Sequence, residues 1–92
     1  MSEDLDDEAF AEATLTDAIR NQLESGEPPA AQATFNKLKL VGYEEGDILK
    51  LMAHVLAIEI DNMLRADRPF DGAWYEQALR ALPSLPGEDE DA

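Results

Sequence analysis

Ninety-two residues, 45% of them apolar, make one domain near the lower end of independent folding size. The absence of cysteine excludes a disulfide framework, a thiolate metal site and a cysteine nucleophile, and it fits a reducing cytoplasm. A net charge of −14, from seven bases against 21 acids, argues against nucleic-acid binding, which needs a basic patch to neutralise phosphates.

The charge is unevenly placed. Residues 1–12 carry six acids and no base, and residues 88–92 carry four acids and no base. The excess therefore sits in the ends, which read as acidic, flexible, disordered tails over 1–7 and 87–92, flanking a single helical domain over 8–86. The opening MSEDLDDEAF has no basic segment leading into an apolar one, so it does not read as a secretory signal.

In chain order, the first periodic segment covers 8–25, where Phe10, Leu15, Ile19 and Leu23 fall on one helical stripe. Its start lies between Asp7 and Thr14, and Gly26 with Pro28 and Pro29 enforces the break. Pro29 suits the first turn of a second helix, 29–41, with Ala31, Phe35, Leu38 and Val41 on one face and Gly42 at its end. The longest apolar run, ILKLMAHVLAIEIDNML over 48–64, lies inside a central helix of about 47–66.

Two apolar stripes run along that helix. Leu49, Met52, Ala53, Leu56, Ile60, Met63 and Leu64 form one, and Ile48, Leu51, Val55 and Ile58 form the other. Lys50, Glu59 and Asp61, with His54 and Asn62, mark the narrower wet face. Those interior charges exclude a membrane span, since each central one costs about 2.5–3.5 kcal/mol in a bilayer. A fourth helix, 71–82, takes Asp71 as its N-cap, carries Trp74, Tyr75, Ala78, Leu79 and Leu82, and closes at Pro83. The expected fold is all-α, a compact four-helix bundle-like domain around the long central helix.

A likeness emerges from the order of these features: Ala18, Ile19 and Gln22; the break Gly26, Pro28, Pro29; Phe35, Leu38 and Gly42; Met52 and Leu56; then Pro69, Phe70, Asp71, Tyr75 and Leu79. The pattern resembles the C-terminal part of domain-of-unknown-function family 1841, small bacterial helical proteins. Relatives in that family often carry a histidine early in the long helix, where Lys50 stands here. The resemblance implies a bacterial helical protein and brings with it no activity and no catalytic residue.

Candidate chemistry is sparse. His54 is the one histidine, with Asp47 and Asp61 seven residues to either side. That spacing is roughly 10 Å of helix, too far for all three to meet, so His54 reads as a boundary or surface residue. Glu44, Glu45 and Asp47 suggest a cation loop but lack the alternating ligands that calcium needs; they read as acids complementing a helix N-terminus. The pairs Asp17/Arg20, Asp61/Arg65 and Glu76/Arg80 have the spacing of exposed ion pairs, and Arg65, Arg68 and Lys50 read as solvated charges. Trp74 and Tyr75 are adjacent and must diverge, so one belongs to the core and the other joins Phe70 as an exposed aromatic.

No catalytic set, cofactor or metal site follows from these residues, and catalysis is not expected. The expected function is a non-catalytic protein–protein interaction or self-associating module in the cytoplasm, its partner another protein or a second copy, with no nucleic acid and no membrane. The candidate surface is Phe70, Trp74, Tyr75, Ile48, Leu51, Val55 and Ile58. The alternative is an acidic DNA mimic that inhibits a nucleic-acid-binding protein; deleting both tails would abolish that activity and spare a helix-surface adaptor.

Overall fold

Four helices follow one another in the computed structural model, which describes the backbone of residues 2–86 and the side chains of residues 13–86. They are α1 (Ser2–Ser25), α2 (Pro29–Val41), α3 (Glu45–Ala66) and α4 (Gly72–Ala81). Helical backbone in α1 runs on through 2–7, the stretch read from the sequence as a tail. Acids near a helix N-terminus complement the positive end of its dipole, which accounts for the longer start. The Phe10 side chain and the expected C-terminal tail, 87–92, lie outside what is so described.

Local chemistry sets each break. Gly26 takes a positive φ of 79° and donates its N–H to the Gln22 carbonyl at 2.9 Å, ending α1. Pro28 is the extended N-cap of α2 and Pro29 its first residue, where the missing N–H is harmless. Gly42, at φ 115°, closes α2 with its N–H on the Leu38 and Lys39 carbonyls. A side chain at that φ is strained, so glycine is required there. The central helix α3 starts at Glu45, two residues before the expected 47, with Glu45 and Asp47 in its first turn. Asp71 caps α4 as expected, its carboxylate accepting from the Trp74 N–H at 3.0 Å.

The central helix packs against all three others, while α2 also meets α1 and α4. The fold is an all-α, bundle-like domain organised around α3. Its core joins Ile19 of α1, Leu38 of α2, Ile48, Met52 and Val55 of α3, Leu79 of α4 and Leu82 just beyond it, all fully buried. Each such side chain contributes about 1.5–3 kcal/mol by leaving water. Both stripes of α3 are therefore covered over most of their length. Ile48 and Val55 are withdrawn from the candidate interaction surface because neighbouring helices bury them; Leu51 and Ile58 are half-buried at its edge.

The buried face of α2 is Ala30, Ala31, Thr34 and Leu38, with Phe35 half-buried beside it and Val41 exposed instead of packed. Thr34 is 1% exposed and its hydroxyl has no hydrogen-bond partner among the described residues. A buried polar group left unpaired costs free energy, so Thr34→Val is expected to raise stability by about 1 kcal/mol. Urea unfolding of the two proteins side by side measures this; a loss of stability would mean that the hydroxyl has a partner.

A pinned loop and its candidate docking groove

The connection between α3 and α4, residues 67–71, is held by one carboxylate. Glu59 lies in α3 in phase with Ile48, Met52 and Val55, and it is completely buried. Its two oxygens take a forked pair of bonds from Arg68, Nη1 to Oε2 at 2.7 Å and Nη2 to Oε1 at 3.0 Å. Oε2 also accepts the backbone N–H of Asp71 at 2.7 Å. Arg68 Nη1 donates as well to the Pro69 carbonyl at 2.7 Å. Two corrections follow: Glu59 is not on the wet face, and Arg68 is not simply a solvated charge.

Chain geometry makes the fork possible. Asp67 adopts the left-handed conformation at φ 53°, ψ 52° and caps α3 with its N–H on the Met63 carbonyl. That turn reverses the chain and returns Arg68 to the flank of α3; Asp residues tolerate this conformation better than most. The Glu59 carboxyl is held below the usual glutamate range, first by the Arg68 hydrogen bond, which outweighs the opposing effect of burial, and further by the Asp71 N–H. Arg68 is raised in turn, above all by the same bond.

Phe70 stands on this pinned loop and keeps 42% of its surface exposed. Its ring meets Tyr75 edge-to-face, with centroids 5.3 Å apart and planes at 70°. Tyr75 itself is buried, so it leaves the candidate surface as an exposed residue, and Trp74 is half-buried. The Tyr75 hydroxyl donates to Gln22 Oε1 at 2.9 Å and so ties α4 to α1, two helices that do not otherwise pack along each other among the described residues. An open groove of about 320 Å³ runs beside Phe70 and Tyr75, bordered by Gln22, Pro28, Glu27 and Glu76.

Burial pushes the Tyr75 phenol up to about 12, despite the Gln22 bond. A raised phenol stabilises the fold fully below its ordinary value of 10.0, and that contribution is lost as pH rises through about 12. Tyr75→Phe is expected to cost about 1 kcal/mol at pH 7 by removing the bond to Gln22. The variant should also lose less stability than the parent between pH 10 and 12, the window of that shift. Urea titrations at both ends of the window test the sign; parallel pH profiles for the two proteins would refute it.

The other marked residues do not converge on chemistry. His54 is exposed in a second open groove with Tyr43, Asp47 and Lys50, and it makes no hydrogen bond among the described residues. No group of three or more metal-ligating side chains forms among the described residues. Arg65 pairs with Asp61 at 2.8 Å on the surface, whereas Asp17 with Arg20 and Glu76 with Arg80 lie outside ion-pair distance. No helix among the described residues is long and apolar enough to cross a membrane. The chain matches no family model, no curated protein and no solved structure, so the reading of the groove rests on its own geometry.

Proposed function

We propose that this protein is a non-catalytic interaction module that docks another protein on the Phe70 loop and the groove beside it. One observation carries the reading: an exposed aromatic on a loop fixed from beneath by a fully buried carboxylate. An anchor held in place before binding loses little entropy on association, and aromatic anchors dominate interface energetics. The remaining exposed apolar residues are dispersed. Leu40 and Val41 end α2, and Leu64 stands in the last turn of α3. Singly exposed apolar residues are ordinary on protein surfaces.

The test replaces Phe70 with alanine in the full chain and uses Leu64→Ala as a matched control. Captures from a lysate of the source cells are compared quantitatively, and any differential protein is then purified and titrated directly. Phe70→Ala should weaken the binary complex about thirtyfold, the effect of removing an interface anchor. Leu64→Ala should leave it unchanged. Equal binding by parent and both variants would overturn the reading.

A further inference from the structure

We infer that the groove beside Phe70 takes a basic, extended segment of the partner, with an apolar side chain against Phe70 and a lysine or arginine at the Glu27–Glu76 rim. This rests on the docking reading above and adds the partner's chemistry. Two carboxylates border the groove, and among the described residues neither is in an ion pair and no lysine or arginine lines it. The C-terminal end of α1 reaches the same place through Gln22, and the last turn of α1 holds no basic residue. The negative end of a helix dipole attracts cations, so the backbone and the side chains favour the same sign. Pro28 and the Phe70 ring supply an apolar floor. Gln22 spends its carbonyl oxygen on Tyr75, and its amide nitrogen makes no bond among the described residues, leaving a donor for a peptide carbonyl.

Charge also decides against the other occupants. A second copy of this chain would bring another −14 to a rim that already carries two unpaired acids. The segment 87–92, with four acids and no base, meets the same repulsion. Complementary charge sets which partner approaches and in which register, and it does so through an association that salt weakens.

Two arms test the inference on the full chain. In the first, the isotope-labelled protein is titrated with a short peptide that carries lysines around a central leucine and a proline, and with its counterpart in which glutamates replace the lysines. Amide shifts at Gly72, Tyr75 and Glu76 are expected with the lysine peptide alone, weakening between about 50 mM and about 300 mM salt. They should fall about tenfold in apparent affinity in the Glu27→Lys/Glu76→Lys variant. Equal response to both peptides, shifts confined to the acidic termini, or no binding would overturn it. In the second arm the same variant is compared with Phe70→Ala against the purified partner. Loss with both variants supports the inference. Loss with Phe70→Ala alone overturns the basic chemistry and leaves the docking site standing, whereas loss with neither overturns both.

Discussion

Replacing Arg68 with leucine should lower Tm by at least about 10 °C at pH 7. The reason is an asymmetry within the ion pair. The Arg68 side chain is 34% exposed and the Glu59 side chain 0%. Without its partner the guanidinium would still find water, but the carboxylate would keep only the Asp71 N–H. An uncompensated buried charge is the expensive half of a broken pair. Glu59→Gln should therefore be milder: the amide oxygen still accepts from Asp71, and Arg68 turns outward to solvent. If the two variants melted at the same temperature, the asymmetry would be wrong.

The pH dependence gives a second, sharper reading of the same pair. In the parent, the Glu59 carboxyl lies below its ordinary value, so its contribution is complete above the usual glutamate range and is lost as pH falls through the lowered folded value. In Arg68→Leu the bond that does most of the lowering is gone while burial remains, which turns the shift upward. A raised carboxyl is most favourable to the fold when protonated, and its penalty grows as pH rises. The difference in Tm between parent and variant should then narrow between pH 7 and about pH 4. Far-UV circular dichroism melts across that range measure it, and a constant difference at every pH would remove Glu59 as the cause.

How legible this was from the sequence depends on how local each determinant is. Gly26, Pro29, Gly42, Asp71 and Pro83 act within a turn of themselves, and the breaks they foretell are where the helices end or begin. Glu59 is a different case. It continues the line of Ile48, Met52 and Val55 at steps of four, three and four, so its position pointed inward while its charge pointed outward. Assigning it by charge put it on the wet face. A carboxylate in phase with a core stripe demands a cation, and Arg68 was within reach. What the sequence could not show was the left-handed turn at Asp67 that brings Arg68 back. Helical spacing was a poor guide to ion pairs, since Asp61 meets Arg65 but the Asp17/Arg20 and Glu76/Arg80 pairs do not form. Exposed pairs stabilise by only a few tenths of a kcal/mol, too little to hold two long side chains in place. The divergence of Trp74 and Tyr75 followed from geometry, but the inward one, Tyr75, meets partners distant in sequence, among them Gln22, 53 positions away.

Ile48→Ala should cost about 2–5 kcal/mol, the range for truncating a large aliphatic side chain in a packed core. The spread depends on how far the site can collapse. Ile48 is fully buried in the first turns of α3. Urea unfolding should show a lower midpoint with an unchanged slope, and Leu64→Ala, on the exposed flank of the same helix, should stay within about 0.5 kcal/mol of the parent. A negligible effect at Ile48 would return it to the surface and reopen the central helix as a docking face. The gentler Ile48→Val keeps the protein folded at a cost of about 0.5–1.5 kcal/mol and separates stability from binding. Ile48 precedes Glu59 by eleven residues, roughly 16 Å along α3, so it is remote from the loop that Glu59 pins. Phe70-dependent binding should therefore survive Ile48→Val unchanged, and a loss of binding by that folded variant would place the partner on α3 instead of on the Phe70 loop.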